Sequence, residues 1–240
     1  MSETTLKQVL VDITIAAPIE TVWQAVRDPE LIKTWFGWDA DTLKDEIEFI
    51  FVTHGSEQAG HVLQFDEWEG IKERFELEGV GQTTRLRIVR SGGAPIDWDG
   101  VYEDITQGWV TFAQQLRLAL EQHTGDGRRT IYLSGAAKPG AGEPSTALGL
   151  DRRLGLGTRY SAMLTSGDHI SGTLWHGTTF QTGFAVEQWG DGLLVVTDKG
   201  VSEKRPHGGG SVILTTYGLS DAAFEELDAR WTAWWAERYE

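Results

Sequence analysis

The stretch DITQGWVTFAQQLRLALEQ, residues 104–122, decides how this sequence folds. Its apolar residues recur at helical spacing and form one stripe: Ile105, Trp109, Phe112 and Leu116. A glycine inside a helix costs about 1 kcal/mol relative to alanine. We therefore expect Gly108 either to let the helix backbone approach a neighbouring surface closely or to mark a kink that opens a cavity.

Four segments before this helix read as β-strands: EIEFIFVTH at 46–54, HVLQFDEWE at 61–69, IKERFELEG at 71–79 and TTRLRIVRS at 83–91. The third alternates strictly, with Ile71, Glu73, Phe75 and Leu77 on one face. One dry face and one solvated face are typical of an antiparallel sheet that is covered on one side only. The apolar stripe of the helix is the surface available to cover it.

The start of the chain predicts a strand followed by two short helices. The strand is LKQVLVDITIAAP at 6–18, and the helices are PIETVWQAVRD at 18–28 and PELIKTWFGW at 29–38. Proline is tolerated in the first turn of a helix, so Pro18 and Pro29 favour helix starts. The second helix ends in an aromatic cluster of Trp35, Phe36 and Trp38.

The stretch TGDGRR at 124–129 has the composition of a linker and predicts two domains, 1–124 and 130–240. After it the order of elements recurs, with a strand, five further strands and a closing helix at 220–240 that Ser220 caps. A loop rich in glycine, proline and alanine at 136–149, with a helical turn at 150–155, replaces the first half's short helices. We expect two copies of one α+β architecture, the second degenerate.

Composition narrows the function classes. The net charge of −15 disfavours nucleic acid and anionic membranes as partners. The chain has no cysteine, so disulfides and cysteine nucleophiles are excluded. No apolar run is long enough for a signal peptide or a membrane span, and we expect a cytoplasmic protein. We expect no metal or cofactor, because His54 and His61 flank a turn without a third metal ligand nearby.

The segment APIETVWQAVRDPELIKTWF at 17–36, the meander of strands and the Gly108-Trp109 helix together resemble the START-like (SRPBCC) superfamily. The resemblance is closest to its branch related to the activator of the Hsp90 ATPase. It implies the helix-grip fold, in which a curved antiparallel sheet surrounds a long C-terminal helix. Members commonly hold a hydrophobic small molecule between sheet and helix. Some are polyketide cyclase-like enzymes and some bind protein partners.

The second half resembles the fold more weakly, with Trp231 in the region of the usual tryptophan.

We interpret the chain as a binder of a small apolar ligand without assigned catalysis. The expected lining is Phe65, Phe75, Leu77, Ile88, Trp109, Phe112 and Leu116, with Trp35 and Trp38 near the entrance. One alternative is a protein-binding module such as a chaperone cofactor. Trp38, Trp68 and Trp98, which lie at element ends, are candidate contacts for either a ligand or a protein partner. Another is a polyketide cyclase-like enzyme that uses Glu67 or Glu73, because a carboxylate among apolar neighbours can act as a general acid or base.

Overall fold

The computed structural model describes residues 7–68, 70–92, 101–151 and 153–240, with only the backbone described for 101–104. The chain divides into two compact units, Met1–Gly125 and Asp126–Glu240. We call them the first and the second unit. Among the described residues, no helix combines the length and the apolar content that crossing a bilayer requires.

The described part of the first unit is an antiparallel sheet with one long helix and several short ones. The strands are β1 Lys7–Ile15, β2 Gly55–Gln58, β3 Val62–Phe65, β4 Ile71–Val80 and β5 Thr83–Gly92. The helices are α1 Ile19–Ala25, α2 Pro29–Ile32, α3 Leu43–Ile47, a π-helix Glu48–Thr53 and α4 Val101–Gln122. The strand order is β1-β5-β4-β3-β2. This arrangement confirms the α+β fold class.

The inward face of the sheet and the stripe of α4 from Trp109 onward form one apolar core, whereas Ile105, expected in the same stripe, is exposed. In β4, Ile71, Phe75 and Leu77 are buried, as the alternation predicts. On α4, Trp109 and Leu116 belong to the same core. Burying one such side chain stabilises a fold by about 1.5–3 kcal/mol. The contact between the alternating strands and α4 therefore holds the first unit together.

The segment 46–54 is not a strand, and that prediction was wrong. It completes α3 and then forms the π-helix Glu48–Thr53. A short apolar run cannot be assigned to strand or helix by periodicity alone, and here burial of Ile47 and Phe51, four positions apart, favours the helical turn. A Cβ at Gly55 would lie 2.3 Å from the Phe51 carbonyl oxygen, so glycine is needed where the chain leaves this turn.

The explanation for Gly108 also needs correction. Helix α4 ends at Gln122 as predicted, while its expected start near Asp97 lies outside the described residues. A Cβ at Gly108 would meet the ring of Phe112 at 3.6 Å, and no atom of the sheet as described lies within 4 Å of it. Gly108 therefore does not serve a close approach between the helix backbone and the sheet.

The second unit has a sheet of the same strand pattern with one strand more. The strands are β6 Arg128–Ala136, β7 Arg159–Met163, β8 His169–Gly177, β9 Gln181–Val186, β10 Gly192–Lys199 and β11 Gly209–Tyr217. The helices are α5 Pro144–Leu148, a 3-10 turn Glu187–Trp189 and α6 Asp221–Arg238. The order is β6-β11-β10-β9-β8-β7, so in both units the first strand lies beside the last.

The closing helix begins as predicted, because the Ser220 side chain accepts a hydrogen bond from the Ala223 amide. The connection after β6 differs from the prediction. Helix α5 lies inside the expected loop at 136–149, whereas the expected turn at 150–155 is not helical in its described part. Pro144 at the first position favours this helix, and Gly149 in the left-handed region (φ 80°) ends it.

Candidate functional site

A charged pair on the inner face of the first sheet is the centre of the candidate site. Glu73 of β4 and Arg90 of β5 are directly opposite each other in the strand register. Arg90 donates from Nε (2.8 Å) and Nη2 (2.5 Å) to Oε1 of Glu73. Only 5% of the Arg90 side chain and 13% of the Glu73 side chain are exposed. The sheet thus holds an almost fully desolvated ion pair.

Helix α4 contributes two further groups to this pair. The Trp109 indole Nε1 donates to the other carboxylate oxygen of Glu73 at 2.5 Å. The Nη1 of Arg90 donates to the Thr106 hydroxyl at 3.0 Å. Since residues three apart lie on one helix face, Thr106 and Trp109 can reach both partners of the pair. The helix and the two strands are therefore joined by a continuous hydrogen-bond network.

Aromatic rings from several elements surround this network. They are Trp35 and Phe36 after α2, Phe51 of the π-helix, Phe65 of β3, Phe75 of β4, and Trp109 and Phe112 of α4. The Phe65 and Trp109 rings stack at 5.9 Å with an interplanar angle of 18°. Phe75 contacts Trp109 edge-on at 5.1 Å. Such ring pairs add about 0.5–1.5 kcal/mol each beyond the area that they bury.

The structure brings the predicted lining residues together, and they pack directly on one another. Buried are Trp35, Phe65, Phe75, Leu77, Ile88, Trp109 and Leu116, while Trp38 and Phe112 are half-buried. The Trp38 ring lies 6.3 Å from that of Phe112. A ligand between sheet and helix would therefore contact aromatic rings and would need some of them to move. Phe112 lies at the half-buried edge of the cluster, where a ring can move without disturbing the buried centre.

Several residues of this site were missed at the sequence level. Arg90 shares a face with Leu86 and Ile88, so the alternation of β5 carried the signal that it points inward. Gln115, fully buried, donates to the carbonyls of Trp35 and Gly37 and ties α4 to the aromatic segment. Its place on the polar side of the helical pattern gave no such signal.

Other predicted candidates lie outside the site. Strand β3 ends at Phe65, and Glu67 is exposed, where it pairs with Lys72 at 3.4 Å, so it is not on the dry face as expected. His54 contacts Asp66 and His61 contacts Glu20. Within the described residues, no group of three or more His, Asp or Glu side chains has the arrangement of a metal site. Trp98 lies outside the described residues.

The arrangement limits the chemistry of Glu73. Both of its carboxylate oxygens accept hydrogen bonds from cationic or indole N–H groups. Acceptance of a proton from a substrate would require one of these donors to leave first. A polar group of a bound molecule would likewise have to replace one of these bonds, because both Glu73 oxygens and the Nε, Nη1 and Nη2 groups of Arg90 already have partners.

Comparison with known proteins gives similarities of structure. No family profile and no curated protein matches the chain. It is similar to the Aha1 dimer from Colwellia psychrerythraea (18% identity, TM-score 0.38), over 51% of this chain and 99% of that one. It is also similar to the di-domain ARO/CYC BexL from the BE-7585A biosynthetic pathway (12% identity, TM-score 0.40), over 93% and 88%. A third similar structure is SSP2350 from Staphylococcus saprophyticus (20% identity, TM-score 0.36), over 49% and 92%.

Proposed function

We propose that the first unit binds a small, largely aromatic molecule against the ring cluster, with the Glu73–Arg90 pair orienting its polar group. The observation that carries this proposal is the burial of that pair. Charges taken out of water lose several kcal/mol of hydration each, and an apolar pair of similar volume is often equally stable or more stable. Stability alone therefore gives little reason to keep an ion pair among aromatic rings.

The surroundings of the pair support an aromatic ligand. Its neighbours are rings of phenylalanine and tryptophan, which prefer stacked or edge-on contacts with other rings. Exchange of the Trp109–Glu73 bond for a bond from a ligand hydroxyl would leave neither carboxylate oxygen of Glu73 without a donor. A molecule with a hydroxyl or carbonyl group on an aromatic frame therefore fits the site better than a plain hydrocarbon.

We also propose that the two units correspond to START-like domains at 1–124 and 130–240, the second of them degenerate. The common strand order supports this proposal. In the second unit a loop with one short helix stands where the first unit has α1, α2, α3 and the π-helix. Binding is accordingly assigned to the first unit alone.

The test is a thermal-melt screen of the full chain against fatty acids, sterols, flavonoids and aromatic polyketides. A ligand at about a hundred times its Kd stabilises the folded state by about 2.7 kcal/mol. The proposal expects stabilisation by hydroxylated aromatic compounds and none by saturated fatty acids. Absence of any shift, or an equal response to all four classes, would contradict it.

Two matched substitutions locate the binding. Phe112 of α4 and Phe224 of α6 are both partly buried and both pack on the core of their own unit. We expect Phe112→Trp to fill the edge of the aromatic cluster and abolish the ligand-induced shift. Phe224→Trp, at the equivalent kind of position in the second unit, should leave the shift unchanged. Loss of the shift in Phe224→Trp alone would place the ligand in the other unit.

A further inference from the structure

We propose that an exposed aromatic surface on the first unit is a docking site for a basic, apolar segment of another protein. The surface consists of Phe49 and Val52 of the π-helix, His54 after it and Trp68 after β3. We call it the Phe49–Trp68 surface. It shares no residue with the ligand site proposed above, so the two proposals can fail separately.

The side chains of this surface are unusually exposed for their size. The exposed fractions are 65% for Trp68, 48% for Phe49 and 46% for Val52. The Phe49 ring lies 6.4 Å from that of Trp68 and 4.4 Å from that of His54, so the rings form one contiguous group. Single exposed apolar residues are ordinary, but contiguous apolar patches on a protein surface mark interaction sites. Tryptophan is also among the residues most enriched at binding hot spots.

The π-helix explains why these side chains face outward. Its turn directs Ile47 and Phe51 into the core, where both are buried. Phe49 and Val52, which alternate with them, are left on the outside. Such π-turns are rare and occur frequently at functional sites. The π-helix that replaces the predicted strand at 46–54 therefore also produces the exposed surface.

The charges in the same stretch of chain identify the occupant. Between residues 41 and 72 the described exposed carboxylates are Asp41, Asp45, Glu46, Glu48, Glu57, Asp66 and Glu67. Of these, Glu57 pairs with Arg27 and Asp66 pairs with His54 of the surface itself. The exposed lysines in this stretch are Lys44 and Lys72, and Lys72 already pairs with Glu67. Exposed apolar rings in an acidic stretch of chain are complementary to a segment that presents apolar side chains flanked by lysine or arginine. A second copy of this chain is a poor partner, because its own net charge is −15.

The probe is a synthetic peptide of leucine and lysine that forms an amphipathic helix, with a leucine–glutamate peptide of the same length as its counterpart. Binding is measured by fluorescence anisotropy of the labelled peptide at low and at physiological salt. We expect the lysine peptide to bind, with an affinity that falls as salt rises, and the glutamate peptide not to bind. Failure of the lysine peptide to bind the full chain would overturn the proposal.

Substitutions separate this surface from the general acidity of the chain. The double variant Phe49→Ser, Trp68→Ser removes both rings and should weaken binding by about tenfold or more. The matched control is Leu156→Ser, Val201→Ser, which removes two apolar residues of the second unit that are even more exposed than the two rings. Equal loss in the control, or unchanged binding in the first variant while its melting temperature stays that of the parent, would overturn the proposal.

A second pair of variants tests the charges of this stretch of chain. Asp45→Lys, Glu48→Lys reverses two exposed carboxylates that precede Phe49 in sequence, and Glu203→Lys, Glu225→Lys reverses two exposed carboxylates of the second unit. Both double variants change the net charge by the same amount. We expect Asp45→Lys, Glu48→Lys to lower the affinity for the lysine peptide severalfold more than Glu203→Lys, Glu225→Lys does. Equal effects would show that the peptide responds to net charge alone and would overturn the proposal.

Discussion

The long helices of the two units each place a tryptophan against a sheet, and the two tryptophans meet different surroundings. Trp109 of α4 donates its indole N–H to Glu73, a carboxylate that Arg90 also binds. Trp231 of α6 is fully buried among other tryptophans, and its indole nitrogen has no hydrogen-bond partner within the described structure. One architecture therefore places a charged network at the helix tryptophan in the first unit and a cluster of aromatic rings at the helix tryptophan in the second.

The difference in polar groups indicates that the interiors of the two units differ in what they can bind. The second unit fills the space between sheet and helix with tryptophan rings. The Trp231 ring lies 5.9 Å from that of Trp189 and 6.1 Å from that of Trp234. Beside these rings the Trp234 indole N–H donates to the Thr165 hydroxyl at 3.0 Å, so no charged group bonds a tryptophan N–H of this cluster as described. The first unit keeps hydrogen-bonding groups where a polar ligand atom could use them. The predictions that follow test this contrast, beginning with the largest expected effect.

Removal of Arg90 should have the largest effect on stability. Arg90→Met leaves the Glu73 carboxylate buried without its counter-charge, and breaking a buried pair in this way costs about 3–5 kcal/mol. The double variant Glu73→Leu, Arg90→Met should recover most of that loss. Urea unfolding, with hydrogen exchange of β4 and β5 as the local readout, measures both.

The counterpart in the second unit is Arg230, which pairs with Asp168 at 2.7 Å but has 35% of its side chain exposed. Asp168 itself is only 8% exposed, but water already reaches Arg230 and can hydrate the carboxylate once the guanidinium is gone, so Arg230→Met should cost less than Arg90→Met. Equal costs for the two arginines would contradict the claim that the first unit alone encloses a desolvated pair.

Alkaline pH should destabilise the second unit selectively. Burial raises the pKa of Tyr217 to about 12, and burial likewise raises the pKa of Tyr160 and of Tyr239. Unfolded tyrosine loses its proton near pH 10, so the stability that Tyr217 contributes is complete below about pH 10. It is lost as the pH rises from about 10 to 12, by about 3 kcal/mol.

Hydrogen exchange is measured at pH values on both sides of this range and converted to opening free energies. We expect the loss of stability to be found in β11, which Tyr217 ends. Tyr217→Phe should make the stability of the second unit less dependent on pH between about 10 and 12. A variant as sensitive to pH as the parent chain would contradict the assignment to Tyr217.

The two tryptophans themselves should respond differently to phenylalanine. Trp109→Phe removes a hydrogen bond to a charged group, which is worth about 1.5–3 kcal/mol, in addition to packing. Trp231→Phe removes an N–H without a partner, and the relief of that unsatisfied donor offsets part of the lost packing. We expect the first variant to lower the free energy of unfolding clearly more than the second. The reverse order would show that the carboxylate contact adds nothing.

The smallest effect concerns the helix backbone. Gly108→Ala places a methyl group 3.6 Å from the Phe112 ring, an ordinary contact, and should stabilise the first unit by about 1 kcal/mol. Ala229→Gly, at an exposed position of α6, should destabilise the second unit by a similar amount. A loss of stability in Gly108→Ala would restore the earlier explanation, in which the helix backbone approaches its neighbours too closely for a side chain.

Local patterns predicted most of the strands and the two long helices. The period-2 alternation of β4 and the stripe of α4 are strong signals. In a half-buried strand every second residue must face the core, and in an amphipathic helix every third or fourth residue must do so. The same rule failed for 46–54, where an apolar run without a clear period became a π-helix. Helix α5 was hidden in a loop composition whose proline and glycine in fact mark its two ends.

The candidate site was predictable in part. Glu73 was singled out from its place between apolar neighbours, and Arg90 could have been found by extending the alternation of β5 to its end. The hydrogen bond between Glu73 and Trp109 could not be predicted, because these residues are 36 positions apart and meet only through the packing of α4 on the sheet. Sequence patterns show which face a residue occupies, but they do not show which residue of another element it meets.

The central claim is that the first unit, with its buried charged pair, is the binding unit. Hydrogen exchange of the full chain, with and without each compound that shifts the melting temperature, tests this most directly. The account predicts ligand-induced protection in β4, β5 and α4, with β8 to β11 and α6 unchanged. Protection in the strands of the second unit, or none in the first, would contradict it.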